Sequence, residues 1–145
     1  MSSMLKISEG AALGIHSMIV LAKAGDELMS VKYIAEKLNV SANHLSKIMQ
    51  RLVKCGFVES IKGNGGGFRL AKKPQKISLL NIYEAIDGKF KPSVCLLHAN
   101  SSSRASYCKP SACIFDKCAL GDLLESINNQ VESHLRTRTL DTFLL

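Results

Sequence analysis

The sequence predicts a mainly α-helical protein with a small β-hairpin wing, arranged as a winged helix-turn-helix and followed by a long C-terminal dimerisation helix. Three features support this prediction: two short amphipathic helices joined by a tight turn, a glycine-rich hairpin directly after them, and a positive charge confined to the same stretch. The length of 145 residues suits one domain, or a small domain with an appendage. A hydrophobic content of 46% excludes a wholly disordered chain.

The sequence contains no pattern typical of a membrane protein. No apolar run reaches the roughly 18 residues that a membrane helix requires. Ser8, Glu9 and His16 interrupt the N-terminal stretch, which does not resemble a signal peptide. We therefore expect a cytoplasmic protein with no membrane partner. Five cysteines, an odd number, indicate buried thiols, metal ligands or redox groups there, rather than disulfides.

Serines and glycines mark the ends of the first three predicted helices. Ser8 precedes an amphipathic stretch that ends at Gly25, and Ser30 caps a short second helix. After a tight turn, Ser41 caps a third helix that ends near Gly56. The second and third helices form a helix-turn-helix candidate, in which the third would enter the major groove of DNA.

A β-hairpin follows the third helix. Residues 57–61 and 68–71 have β-type side chains, and the turn between them, residues 62–67, is rich in glycine. A phosphate-binding loop is a rival interpretation of this turn, but no Lys-Ser/Thr pair follows it and no helix begins there. The order of elements therefore predicts a winged helix.

Positive charge is concentrated in this part of the chain. Residues 41–76 contain eight lysines and arginines and one acidic residue, Glu59, which accounts for the whole formal excess of +7. Such a concentration is typical of a surface that binds a polyanion, of which double-stranded DNA is the commonest. A solvated face that only aids solubility is the alternative interpretation.

The remainder of the chain predicts one more short helix, a long loop and a long helix. Ser78 and Gly88 bound the short helix. From Asp116 onward, apolar residues recur at helical spacing over about five turns. We expect a winged-helix domain at 1–90, a cysteine-bearing loop at 91–115, and a dimerisation helix with its tail at 116–145. The apolar stripe could pack on the first helix, but dimerisation is favoured because helix-turn-helix proteins commonly pair.

Four cysteines lie within 24 residues of the irregular segment: Cys95, Cys108, Cys113 and Cys118. Pro110 prevents a regular helix through them. Thiolates in such a loop hold iron–sulfur clusters or zinc, and the lack of paired C-x2-C knuckles favours the cluster. Thiols without a cofactor are the alternative. Cys55 is expected to be a packing thiol. No catalytic arrangement is evident, so we expect no enzyme activity.

The run from Ser41 to Ala71, with its Gly65-Gly66-Gly67-Phe68 wing, closely resembles the Rrf2 family of bacterial winged-helix repressors. The resemblance continues through Pro74, 77–79, 85–88 and 139–140, and so covers nearly the whole chain. It implies a homodimeric transcriptional regulator. Many members of the family bind a cluster through three cysteines between the fourth helix and the long C-terminal helix.

The resemblance also assigns individual residues. Cys95 matches the first cluster ligand and Cys118 the last, with either Cys113 or Cys108 between them, for a [2Fe-2S] or [4Fe-4S] cluster. Where some members have a histidine as fourth ligand, this chain has Gly121. Where others have an acidic residue in the first helix, it has Ala11, with Glu9 nearby.

DNA contacts are implied on the third helix and the wing at these positions: Ser41, Asn43, His44, Ser46, Lys47, Arg51, Lys62 and Asn64. Four basic residues would contact phosphates: Lys47, Arg51, Lys54 and Lys62. Asn43, His44 and Ser46, early in the recognition helix, would reach base edges.

These observations predict a DNA-binding repressor that senses redox state, nitric oxide or iron–sulfur supply through a cysteine-ligated cluster. The alternative is a cluster-free regulator of the same fold. Thiol oxidation, or the docking of a metabolic enzyme, would then control it.

Overall fold

We describe the protein from a computed structural model, which describes residues 7–91 and 120–145. These residues fall into two compact units. The first, called the winged-helix unit below, comprises residues 7–90 together with 135–145. The second comprises residue 91 and residues 120–134.

The first three helices lie where the sequence predicts them: α1 is Glu9–Ala24, α2 is Val31–Leu38 and α3 is Ala42–Lys54. Local capping explains their boundaries. The Ser8 and Ser30 hydroxyls each accept a hydrogen bond from a backbone N–H in the first turn that follows. Between α2 and α3, Asn39 adopts the left-handed conformation that ends many helices.

Two details of the predicted α3 are wrong. Ser41 occupies the N-cap position, but its hydroxyl makes no capping hydrogen bond. The helix ends at Lys54, and Cys55, expected to be a packing thiol, is exposed at the C-cap. Gly56 follows with a positive φ of 76°, so the chain turns out of the helix just after Cys55.

The wing is an antiparallel pair of strands, β1 (Val58–Ile61) and β2 (Gly67–Leu70), each shifted by up to one residue at its ends from the prediction. A third strand, reduced to a single residue, completes the sheet and was not predicted. Met29, just before α2, exchanges two backbone hydrogen bonds of 2.9 and 2.8 Å with Phe68. The wing is thereby joined to the entrance of the helix-turn-helix.

The fourth helix, α4 (Leu79–Asp87), begins with a reciprocal capping box between Ser78 and Asn81. A short 3₁₀ helix, Pro74–Lys76, connects it to the wing. The chain end contacts the start of α4: the Leu79 N–H donates to the Arg138 carbonyl, and the Leu140 N–H donates to that of Ile77. Residues 135–145 therefore group with the winged helix, whereas the predicted dimerisation segment, 116–145, included them.

A single apolar core holds the winged-helix unit together. α1 packs against α4 and α3, α2 packs against α3, and the 3₁₀ helix Leu140–Phe143 contacts α1. Completely buried apolar side chains come from every one of these elements and from Ile77, which precedes α4: Met18, Leu21, Ile34, Leu45, Met49, Leu52, Ile77, Ile82 and Leu140. This core packs against one face of α3 and leaves the other face exposed to solvent.

The long C-terminal helix, α5, is Gly121–Thr137, in agreement with the predicted length. The predicted start at Asp116 lies outside the described residues. Within the second unit, Leu120 and Leu123 are about half exposed, at 49% and 50%. None of the helices in the described ranges is long and apolar enough to cross a lipid bilayer.

Candidate nucleic-acid interface

The recognition helix α3 has one face toward the core and one toward solvent. Its apolar residues recur at three- and four-residue steps and are buried together: Leu45, Ile48, Met49 and Leu52. The residues predicted to contact DNA are exposed, apart from the half-buried Ser46: Ser41, Asn43, His44, Ser46, Lys47, Arg51 and Lys54. The fold thus brings the predicted α3 residues together on one solvent-facing helix.

The N-terminus of α3 differs from those of α1, α2 and α4, the other α-helices that begin in the winged-helix unit. The hydroxyls of the serines before α1, α2 and α4 accept capping hydrogen bonds, whereas the hydroxyl of Ser41 does not. The first backbone N–H groups of a helix have no intrahelical partner and carry partial positive charge. An uncommitted hydroxyl beside them makes this end of α3 suited to a phosphate oxygen.

The wing places Lys62 and Asn64 at an exposed turn. Steric limits explain the glycines that follow. A Cβ on Gly66 would collide with the carbonyl oxygen of Ile61, and a Cβ on Gly67 would lie 2.7 Å from the Met29 carbonyl oxygen. Only glycine allows both the tight turn and the close approach of the third strand.

Two contacts orient basic side chains near the wing. Arg69 donates from Nε to Glu59 Oε2 at 2.9 Å, across the register pair Glu59–Arg69. The Lys72 ammonium lies 4.7 Å from the centre of the Phe57 ring. The Glu59–Arg69 pair was not predicted, because the predicted strands 57–61 and 68–71 place residue 70 opposite Glu59, one position away from the observed register.

Arg51 has a contact that the sequence did not predict. Its Nη1 donates to the main-chain carbonyl oxygen of Ile86 at 3.0 Å. Ile86 lies in the last turn of α4, where carbonyl groups lack an intrahelical partner. Arg51, which the sequence predicts to contact a phosphate, therefore connects α3 to α4 through this hydrogen bond.

Polar contacts also gather around the end of α4. Ser8 Oγ donates to Asp87 Oδ1 at 2.7 Å, which joins the start of α1 to the last residue of α4. Tyr83 packs edge-to-face on Phe90, with ring centres 6.0 Å apart. Burial raises the pKa of the Tyr83 phenol, and the negative charge of Asp87 raises it further.

The predicted cluster ligands Cys95, Cys108, Cys113 and Cys118 lie outside the described residues. Of the alternative fourth-ligand positions, Ala11 is buried and Glu9 is exposed in the first turn of α1. Within residues 7–91 and 120–145, no group of three or more histidine, cysteine or acidic side chains is arranged to hold a metal ion.

A helix-turn-helix with a glycine-rich wing and an exposed basic recognition helix defines a winged-helix DNA-binding protein. The sequence model of the Rrf2 family, described as "Iron-dependent Transcriptional regulator", matches residues 7–144 of this chain. The chain therefore belongs to the Rrf2 family of transcriptional regulators. This membership confirms the predicted fold class and confirms a regulator rather than an enzyme.

Two curated relatives illustrate the extent of the similarity. The HTH-type transcriptional regulator NsrR of Bacillus subtilis is 30% identical, over 84% of this chain and 92% of that protein. NsrR of Bacillus licheniformis is 40% identical over 57% of this chain. That second match spans only 56% of the relative's own length.

Solved structures show the same fold. CymR, the global cysteine regulator of B. subtilis, matches with a TM-score of 0.76 and 27% identity, over 97% of both chains. T. potens IscR matches with a TM-score of 0.72 and 26% identity, over 97% of this chain and 87% of that one.

Proposed function

We propose that this regulator is a homodimeric repressor whose affinity for its DNA operator depends on an iron–sulfur cluster bound by its own cysteines. The observation that supports the sensing role is the grouping of four cysteines within 24 residues, in a family described as iron-dependent. The exposed face of α3 and the basic wing, both in one unit, support the operator contact.

The proposed DNA contacts divide by chemistry. Asn43, His44 and Ser46 lie in the first turns of α3, the part of a recognition helix that reaches base edges. Phosphate contacts are assigned to the free hydroxyl of Ser41 and to a basic and polar set on α3 and the wing: Lys47, Lys54, Lys62 and Asn64. Each lysine is exposed, and its charge would contribute to the salt dependence of binding.

The proposed dimer forms through α5. Leu123 of this helix and Leu120, just before it, expose apolar surface that a second copy of the helix would bury. A two-fold dimer would present two recognition helices to two half-sites. We expect Leu123→Lys to convert the protein to a monomer in sedimentation experiments and to lower operator affinity. Asn129→Lys, an exposed change on the same helix, should leave the dimer intact; loss of the dimer in both variants, or in neither, would contradict this interface.

The cluster would be held by Cys95 and Cys118, with Cys113 or Cys108 as the middle ligand. Thiolates are soft ligands suited to iron–sulfur clusters, and four of them exceed the three that the resemblance requires. When bound, the cluster would supply a group that reacts with oxygen, nitric oxide or reductants. The thiolates of the cysteines would hold it.

The test is an absorption spectrum with iron, sulfide and zinc assays on protein purified without oxygen. We expect broad visible absorption with iron and sulfide in matching amounts. Cys95→Ala and Cys118→Ala should each lose the absorption, as should one of Cys113→Ala and Cys108→Ala, which identifies the middle ligand, and the effect of oxygen on operator affinity should disappear with it. Cys55→Ala is the control and should keep both. Zinc without iron, or variants that bind DNA like the wild type in all redox conditions, would contradict the proposal.

A cluster-free regulator is the second candidate, favoured by the similarity to CymR over 97% of both chains. In that case thiol oxidation, or a docked metabolic enzyme, would control DNA binding. A colourless protein that stays free of iron after reconstitution, and whose operator affinity still changes with thiol oxidants, would support this candidate.

A further inference from the structure

We infer that Arg51 is a positioning residue for operator recognition: it orients the recognition helix by holding the C-terminal end of α4, and it does not serve as a phosphate contact. The inference rests on DNA recognition by α3, as proposed above. The contact that supports it is the 3.0 Å hydrogen bond from Arg51 Nη1 to the Ile86 carbonyl oxygen.

The acceptor is well suited to a cation. The last four carbonyl groups of a helix have no partner within it, and they carry the negative end of the helix dipole. In α4 the Gly88 N–H satisfies the carbonyl of Glu84, and Arg51 satisfies that of Ile86. A guanidinium in this place is engaged by a backbone group of the protein itself.

The Ile86 end of the contact is held firmly. Its side chain is buried against α1, where Cβ atoms built on Gly14 and Gly10 would lie 2.8 and 3.3 Å from its methyl groups. The same Gly10 position is 3.4 Å from Ile48 of α3. Ile86 therefore lies where three helices meet, and Arg51 is anchored to a part of the core that has little room to move.

The anchor matters because, within the described residues, the side chains that α3 buries are all apolar. Leu45, Met49 and Leu52 are fully buried, and such contacts are non-directional. A hydrogen bond to a fixed carbonyl is directional and limits rotation of the helix about its axis. Arg51 lies one turn beyond Lys47 and two turns beyond His44, so the rotation that it limits also sets where those side chains point.

Base reading and phosphate attraction respond differently to such a rotation. Hydrogen bonds to base edges need defined geometry, whereas non-specific attraction depends mainly on the number of phosphates neutralised. Loss of the Arg51 anchor should therefore reduce specific binding and leave non-specific binding and its salt dependence unchanged. Loss of a phosphate contact should reduce both specific and non-specific binding.

The experiment compares Arg51→Met with Lys47→Met, the same class of change one turn earlier on the exposed face. The full-length protein, purified without oxygen, first selects a duplex from a random DNA library. Affinities for that duplex and for a scrambled duplex of equal composition are then measured at several salt concentrations. Circular dichroism confirms that each variant is folded, and Arg51→Leu, which also removes the hydrogen-bond donor, replaces Arg51→Met if the latter does not fold.

For Arg51→Met we expect the ratio of specific to non-specific affinity to fall about tenfold, the loss typical of one base contact. Its affinity for the scrambled duplex and its salt slope should match the wild type. For Lys47→Met both affinities should fall, and the salt slope should decrease by about 0.9. An Arg51 variant that behaves like Lys47→Met, or that keeps the wild-type ratio, would overturn the inference. Failure of the wild type to select any sequence would instead overturn the operator contact itself.

Discussion

Gly14 of α1 and Ile86 of α4 pack so closely that a side chain on the glycine has no room. A Cβ built on Gly14 would lie 2.8 Å from Cδ1 and 3.3 Å from Cγ1 of Ile86. Ile86 is itself only 7% exposed, so it has little space into which to move. The contact sets the distance between α1 and the helix whose last turn accepts the Arg51 hydrogen bond.

We expect Gly14→Ala to lower the free energy of unfolding. Overpacking costs about 1–3 kcal/mol, and the better helix propensity of alanine returns at most about 1 kcal/mol. Ile86→Val removes Cδ1, so the double variant should be more stable than the sum of the two single changes indicates. Denaturant unfolding of the four proteins measures this coupling.

Gly10→Ala is the matched control for that cycle. The Ile86 atom nearest to a Cβ built on Gly10 is Cγ2, at 3.3 Å. Valine at position 86 keeps that methyl group. Gly10→Ala and Ile86→Val should therefore be additive. Coupling of equal size in both cycles would show that the Gly14 contact is not specific.

We expect a side chain at Gly66 to distort the wing. The obstacle is backbone, the Ile61 carbonyl oxygen, so Gly66→Ala should disturb the strand register at a cost of about 1–3 kcal/mol. Affinity for DNA of any sequence should fall with it. Gly65→Asn is the control: φ is 76° there, nothing lies within 4 Å of the Cβ, and asparagine tolerates positive φ. Equal DNA affinity of the two variants would contradict the steric argument.

Glu59 is expected to restrain DNA binding. It is the one acidic residue in the basic stretch 41–76, and its Oε2 accepts a hydrogen bond of 2.9 Å from Arg69 Nε. Glu59→Gln should change the unfolding free energy by less than about 1 kcal/mol, because the ion pair is exposed. DNA binding should become tighter, with a salt slope steeper by up to about 0.9 if Arg69 reaches a phosphate. Glu36→Gln, on α2, should show a smaller effect; equal effects would indicate net charge alone.

Stability should decrease in alkaline solution through Tyr83. Its pKa is raised in the folded protein by burial and by Asp87, so the folded state retains a proton that the unfolded chain loses. Its contribution to stability is therefore complete below the ordinary tyrosine pKa of about 10 and decreases as the pH rises above it. Tyr83→Phe should remove this part of the pH dependence of unfolding. The same change at Tyr33, which is 46% exposed, should not.

The chain end is expected to contribute to the stability of the winged-helix unit. Leu140 is completely buried, so Leu140→Ala should cost about 2–5 kcal/mol. Leu144, four residues later, is 39% exposed, and Leu144→Ala should have a small effect in the same thermal or denaturant unfolding experiment. Similar losses at both positions would contradict the docking of this segment.

The sequence alone determined the features that depend on neighbouring residues. Capping serines and turn residues predicted α1, α2 and α4, and glycines predicted the wing, because these effects act within a few residues along the chain. The family resemblance rested on the same local motifs. The charge of residues 41–76 likewise needed no structure to be recognised.

Only the tertiary structure decided which distant groups meet. The pairing of Met29 with Phe68, the bond from Arg51 to Ile86 and the contact of Thr139 with Ser78 join residues 35 or more positions apart. Such contacts depend on how the helices pack and on which backbone groups packing leaves without a partner. An exposed arginine on a recognition helix therefore predicts a phosphate contact from sequence, whereas the position of α4 gives it a carbonyl to bind instead.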